Sequence, residues 1–242
     1  MGPRADKKMT KQVDLLAFGP HPDDLEIGLG GTLAKHTAKG NAVGLCDLTR
    51  GEMSSNGTPE ERLKEAEEAR KVLGAAWREN LSLPDRAIGS SPNHLRAVVE
   101  LIRRCRPRAV ALPYWDDRHP DHVASASMLR EAVFNTKLRR YDAEGAPWQP
   151  EWTCFYFIND SAPPSFVVDV TDYYDLKRRA LACYGSQFKR ATENAETRLN
   201  SPSFNRLIES RDAQFGALIG VAFAEGFVVR EPVERTTLLR RP

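Results

Sequence analysis

Two short apolar runs, Val13-Asp14-Leu15-Leu16 and Ala109-Val110-Ala111-Leu112-Pro113, each lead into a turn that carries histidine and aspartate. The first run continues as Ala17-Phe18-Gly19-Pro20-His21-Pro22-Asp23-Asp24; the second is followed by His119-Pro120-Asp121-His122. Apolar runs of that length, bounded by Gly and Pro, read as buried strands that end in turns. In an open α/β sheet the carboxyl ends of the strands open the crevice where ligands bind. One such cluster alone would pass for a helix cap and its neighbour. Two, placed alike after two strands, point to a metal-dependent active site assembled from both.

The rest of the chain alternates strand and helix. The spacing of Leu29, Leu33 and Ala34 predicts a helix from Gly28 to Lys39, stopped by Gly40, and Asn41 to Leu48 reads as the second strand. Gly28, Gly30 and Gly31 are not a dinucleotide fingerprint, because position 33 is Leu33 and the preceding turn carries side chains where a pyrophosphate needs bare backbone. They read instead as close packing of helix on sheet. Arg50 to Thr58 is a polar loop expected to overhang the crevice. Thr58-Pro59-Glu60-Glu61 opens a helix that runs to about Leu73.

Further on, Asn80 to Leu83 is expected as the third strand, Leu95, Val98, Val99 and Ile102 mark an amphipathic helix, and Ala109 to Leu112 is the fourth strand. Asp121 to Phe134 reads as a helix, Thr153 to Ile158 and Phe166 to Val170 as strands, and Tyr173 to Tyr184 and Ser203 to Ile219 as helices. The alternation predicts a single α/β domain, Rossmann-like, with an open, largely parallel sheet and helices on both faces. The polar stretch Gly185 to Pro202 is expected to be a mobile lid or a partner-contacting loop.

With 242 residues and 41% apolar content, one sizeable core suffices, expected over residues 12–242 behind a loose leader at 1–11. The 35 basic and 33 acidic residues nearly balance, so neither nucleic acid nor a membrane surface is an expected partner. Cys46, Cys105, Cys154 and Cys183 are widely spaced and form no Cys-x-x-Cys pair, and Asp6 stands where N-myristoylation needs Ser or Thr. A soluble, cytoplasmic protein is the expectation.

His21-Pro22-Asp23-Asp24 with Glu26, Gly28 and Gly31, together with His119-Pro120-Asp121-His122, resembles the LmbE/PIG-L-like zinc-dependent N-acetylglucosamine-conjugate deacetylases. Cys46-Asp47-Leu48-Thr49, Ser54-Ser55-Asn56-Gly57-Thr58 and Leu83-Pro84-Asp85-Arg86 are further similar to the branch that deacetylates N-acetylglucosaminyl malate in bacillithiol biosynthesis. The resemblance extends from about Val13 to Val229. It implies zinc, or another divalent ion such as Fe(II), a small amino-sugar conjugate as substrate, and a homo-oligomer, since relatives of this branch often assemble as hexamers.

A zinc hydrolase needs three protein ligands and an open position. His21, Asp24 and His122 supply two imidazoles and a carboxylate, which leaves Asp23 as general base. His119, if protonated, would stabilise the oxyanion or donate to the departing amine, with Asp121 orienting it and favouring its cationic form. The resemblance implies the same roles. Arg50, Ser54, Asn56 and Arg62 are expected on the rim as substrate-binding residues. Glu26 reads as a partner behind the metal ligands or as an ordinary first-turn acid, the former slightly preferred. His36 and His94 stand apart. Two His and one carboxylate also suit non-haem Fe(II) oxygenases, but strand-helix alternation disfavours their barrel scaffold. The ligands for a two-metal phosphoesterase are too few, and a simple sugar- or metal-binding module would not need Asp23 and His119.

Overall fold

Side chains alternate between two apolar layers along short strands, and this alternation builds the centre of the molecule. The computed structural model describes residues 12–189 and 195–234; the expected leader at 1–11 and the basic tail from Arg235 lie outside the described residues. The strands are β1 (Leu15–Gly19), β2 (Val43–Asp47), β3 (Trp77–Asn80), β4 (Ala109–Pro113), β5 (Trp152–Tyr156), β6 (Phe166–Asp169) and β7 (Ala224–Val228). The helices are α1 (Asp24–Ala38), α2 (Pro59–Leu73), α3 (Pro92–Cys105), α4 (Pro120–Asn135), α5 (Tyr174–Ala182), α6 (Gly185–Phe188) and α7 (Pro202–Ala217).

The seven strands form one sheet in the order β3-β2-β1-β4-β5-β7-β6. β1 to β5 run parallel, and β7 is antiparallel to both β5 and β6. Leu15, Ala17, Val43, Leu45, Ala111 and Tyr156 pack on one face with α2 residues Ala66, Ala69 and Leu73 and α5 residue Ala180. Leu16, Phe18, Cys46, Val110, Leu112 and Phe155 pack on the other with Val98 and Ile102 of α3 and Leu129 of α4. The expected α/β fold with helices on both faces is what forms. Strand order runs outward from β1 in one direction and from β4 in the other, so the crevice opens between these two neighbours.

Local chemistry sets the element ends. Thr58 caps α2 by accepting from the Glu61 N–H at 3.1 Å, and Gly74 ends it in the left-handed region at φ 71°. Gly28 and Gly31 let α1 lie close to the sheet as the sequence suggests: a Cβ on Gly28 would sit 2.2 Å from Tyr156 Cδ2, and one on Gly31 2.8 Å from Val170 Cβ.

Two boundaries and one element differ from expectation. α1 begins at Asp24, because the turn residues of the first cluster themselves form its first turn. The third strand is Trp77–Asn80, three residues before the expected run; Ser82, at φ 51°, breaks the extended backbone, and Leu83 is buried as a loop residue. β7 is absent from the sequence reading, since Glu225 and Gly226 interrupt its apolar pattern. Among the described residues no helix is long and apolar enough to cross a membrane.

Gly28→Ala should therefore destabilise the fold by about 1–3 kcal/mol through overpacking against the Tyr156 ring and the Phe157 carbonyl. Urea unfolding measures this; an unchanged midpoint would show that the helix can shift off the sheet without cost.

Candidate active site

Because β1 and β4 pair directly, with Ala17 beside Ala111, the turns that follow them meet over the crevice. A cavity of about 280 Å³ opens there, lined from the first turn by His21, Asp23 and Asp24 and from the second by His119 and His122. Asp24 Oδ2 is the point of convergence. It lies 3.1 Å from His21 Nδ1 and 3.4 Å from His122 Nε2, and it accepts the His21 backbone N–H at 2.9 Å. Donors around a tetrahedral zinc with bonds near 2.05 Å stand about 3.3 Å apart, so these two edges are the right length for one ion.

Each histidine has a carboxylate on its other nitrogen. His21 Nε2 lies 3.3 Å from both Asp85 Oδ1 and Asp121 Oδ2, and His122 Nδ1 lies 2.9 Å from Asp117 Oδ1. Such partners orient imidazole ligands and fix which nitrogen faces a metal. Burial disfavours charge on His21, yet hydrogen bonds to Asp121, Asp24 and Asp85 outweigh it and raise its pKa well above the ordinary value. His122 is raised to about 9 against burial, first by Asp24 and then by Asp117. Burial likewise opposes ionisation of Asp24, but His122 and His21 hold its carboxyl well below the usual range. The donor types and carboxylate surroundings suit a cation in this turn. The ligand atoms that all lie within 4.8 Å of one another belong to His21, His119 and His122 and to His21, Asp85 and Asp121, while Asp24 meets His21 and His122 pairwise.

Asp23 occupies a backbone conformation at φ 116° that few non-glycine residues adopt, the kind of strain that a surrounding structure must hold in place. Its Oδ2 accepts from Arg62 Nη2 at 3.1 Å, and the same nitrogen donates to the Pro22 carbonyl at 2.5 Å. Burial raises the Asp23 pKa to about 7, with Arg62 opposing and Asp24 adding to the rise.

Several expected placements are corrected. The Asp121 carboxylate faces His21 and Arg86 instead of His119; Arg86 donates to it from its backbone N at 3.0 Å and from Nη1 at 3.1 Å. What orients His119 is the Asp121 backbone, whose N–H donates to His119 Nδ1 at 3.2 Å. The His119 pKa is lowered by burial and by His122 and His21, so the cationic form is disfavoured.

Arg62 lines the cavity but is buried on Asp23. Asn56 is also buried, and its amide exchanges two hydrogen bonds with the backbone of Ala195, at 2.9 and 2.8 Å. Ser54 lines the cavity and bonds Gln187, while Arg50 is half-buried and lies outside the lining. Glu26 bonds Arg78 and Tyr184, not His21, Asp24 or His122; Arg78 in turn grips Asp47. The described parts of the 185–202 stretch are docked on the cleft, where Gln187, Arg198 and Leu199 form part of its wall.

The residues that sequence reasoning missed are Asp85 and Asp117 behind the histidines, and Arg86, Arg118, Asn159, Gln187 and Arg198 on the wall. Asp85 lies within a motif already noted, but nothing in its spacing links it to His21, 64 positions away.

An α/β protein with a His/Asp cleft at its strand switch point is thus defined, and comparison with known proteins agrees. Residues 16–133 match the family model described as PIG-L, GlcNAc-PI de-N-acetylase. The diacetylchitobiose deacetylase of Thermococcus kodakarensis is 30% identical over 191 residues, covering 72% of this chain and 70% of that protein. The conserved protein TT1542 from Thermus thermophilus superposes with a TM-score of 0.86 at 39% identity, over 95% of this chain and 100% of that one. The chain belongs to the PIG-L family of deacetylases. GalB, a 4-carboxy-2-hydroxymuconate hydratase from Pseudomonas putida, has a TM-score of 0.76 at 20% identity, over 93% of this chain and 99% of that one. It shares the fold alone, so the fold does not choose the reaction.

The position of Asn56 predicts that Asn56→Ala will act on the segment around Ala195. Loss of both hydrogen bonds should cost about 1–3 kcal/mol of local stability. Amide exchange at 195–200 should rise while exchange in β1 and β4 stays unchanged; equal protection in both proteins would remove the anchoring role.

Proposed function

We propose that this chain is a zinc-dependent N-deacetylase of an N-acetylglucosamine conjugate, with N-acetylglucosaminyl malate of bacillithiol biosynthesis as its substrate. The observation that carries the reading is the convergence of His21 Nδ1 and His122 Nε2 on one oxygen of Asp24, with a further acid, Asp23, beside them and free of that role. In this reading His21, Asp24 and His122 hold the ion. When bound, it supplies Lewis acidity toward the acetyl carbonyl and makes a nearby water acidic at neutral pH.

Asp23 takes the proton of the attacking water. With its pKa raised to about 7 by burial, it is a stronger base than an ordinary carboxylate and is about half ionised at neutrality, more so as the pH rises. Arg62 holds one oxygen of Asp23 and leaves the other for this task. His119 accepts the Asp121 N–H at Nδ1, so the neutral ring carries its proton on Nε2. That N–H is the donor for the developing oxyanion. After collapse of the tetrahedral species, the proton gathered by Asp23 passes to the departing amine, which balances the hydrolysis to free amine and acetate.

The substrate assignment rests on the wall of the cavity. Arg118 and Arg198 both line it, and the Arg198 pKa is lowered by burial and then by the charge of Arg118. Asp160 and Asp117 offset part of this repulsion, and an anion in the cavity would relieve the rest; malate brings two carboxylates. The likeness to a diacetylchitobiose deacetylase favours a neutral sugar as the competing substrate.

Asp24→Ala should purify with little zinc, whereas Asp23→Asn and His119→Ala should keep stoichiometric metal and lose turnover, by about 10²–10⁴ in kcat for Asp23→Asn. Metal analysis beside acetate-release kinetics separates these outcomes. A fully loaded Asp24→Ala or an active Asp23→Asn would refute the respective role.

For the aglycone, Arg198→Ala should lower kcat/KM for N-acetylglucosaminyl malate by about 10- to 100-fold, the range of one lost charged hydrogen bond. Turnover of diacetylchitobiose should hardly change. Equal wild-type efficiency on both sugars, with equal losses in the variant, would sink the malate assignment and leave the deacetylase standing.

A further inference from the structure

The helix that carries Asp24 is bent. α1 is helical on both sides of Leu29, where the backbone opens to φ −145°, ψ 23°. In a continuous helix the Gly31 N–H would bond the Ile27 carbonyl four residues back. Here both groups are held by side chains from the end of the chain. Glu225 of β7 accepts from Gly31 N at 3.0 Å and from Thr32 N at 2.7 Å, and Arg211 of α7 donates through Nη2 to the Ile27 carbonyl at 2.7 Å.

These two side chains belong to one buried ionic group. Lys177 Nζ donates to Glu225 at 2.7 Å and to Asp212 at 2.6 Å, and Arg211 Nε donates to Asp212 at 3.2 Å. Lys177, Asp212 and Glu225 are fully buried, and Arg211 nearly so. Apolar residues of similar size often stabilise a core as well as a buried ionic group does, so stability alone is a weak reason for four charges here.

A second set of contacts supplies a better reason. Arg211 Nη1 donates to the carbonyls of Phe157 and Ile158, at 3.2 and 2.8 Å, in the segment that leaves β5. The next residue, Asn159, holds Asp117 through its backbone N–H at 2.9 Å and its side-chain amide at 3.1 Å, and Asp117 is the carboxylate behind His122. One guanidinium thus ties the first turn of α1, which presents Asp24, to the strand exit that sets His122. Neither Arg211 nor Glu225 lines the cavity.

We propose that Arg211 and Glu225 are positioning residues that set the separation of Asp24 and His122 across the crevice, with Lys177 and Asp212 fixing them in turn. This rests on the reading of His21, Asp24 and His122 as metal donors. A bend at Leu29 held from both sides aims the short first turn independently of the long second part of α1, where Gly31 packs closely against Val170, the residue after β6.

The test compares Arg211→Lys and Glu225→Gln with Leu101→Ala, a cavity variant in α3 on the far face of the sheet. Cobalt(II) is titrated into the metal-free proteins and its visible bands are recorded, and amide exchange is followed over residues 24–28 and 157–160. Arg211→Lys and Glu225→Gln should bind cobalt about 10- to 100-fold more weakly, with altered band intensities and faster exchange at 24–28. Leu101→Ala should lower Tm yet leave all three unchanged. Wild-type affinity, spectrum and exchange in both positioning variants would overturn the proposal, as would an equal loss in Leu101→Ala. If one positioning variant failed to fold, the other would decide. If the wild-type chain bound no cobalt, the metal reading would fall; exchange at 24–28 would still decide whether the two residues hold the turn.

Discussion

The site depends on one carboxylate oxygen that meets two imidazoles from opposite sides of the crevice. Asp24 Oδ2 belongs to the turn after β1, and His122 Nε2 reaches it from the helix after β4. Parallel pairing of β1 with β4 makes that meeting possible, and a slip of one residue in the register would turn each strand's side chains to the opposite face. The arrangement also needs compensation. Asp24, Asp85, Asp117 and Asp121 surround two histidines with their side chains nearly buried, and positive charge there is what keeps four acids together.

Around this centre the protein supports its polar groups in layers. Asp85, Asp121 and Asp117 fix the histidines, Arg86 and Asn159 fix those acids, and Arg62 fixes Asp23 in a strained conformation. Away from the cleft, Arg78 joins Glu26 to Asp47 beneath the first turn of α1, and Lys177 joins Asp212 to Glu225 beneath its bend. α1 is thus gripped by charged side chains from Glu26 to Thr32, while its glycines allow close packing. A helix so held has little freedom to tilt, which suits a turn that must present two adjacent acids in different directions.

The cleft wall explains why one fold can serve different substrates. Strand ends provide the fixed chemistry, and loops provide the surroundings. Arg118 and Arg198 approach the cavity from the loop before α4 and from the stretch before α7, so a change in either alters the charge of the wall without touching β1 or β4. The docked stretch before α7 is tied down by Asn56, Ser54 and Glu65, the last through Ser186, and this makes it part of the wall.

Much of this protein was legible in its residues alone. Apolar runs of strand length, the Thr58-Pro59 start, and the repeated His/Asp turns are local patterns, and local patterns report secondary structure and the residue types that chemistry needs. The same local reading could not reach β7, where Glu225 breaks the apolar alternation because its carboxylate is required by α1, 193 positions away. Nor could it tell that Asp121 turns to His21 and leaves His119 to a backbone N–H, or that Asn56 and Arg62 face inward. Those outcomes depend on which groups lie near one another after β1 and β4 pair and the C-terminal elements close on α1. Charge compensation between distant residues has no period and no spacing, so only the tertiary structure decided it.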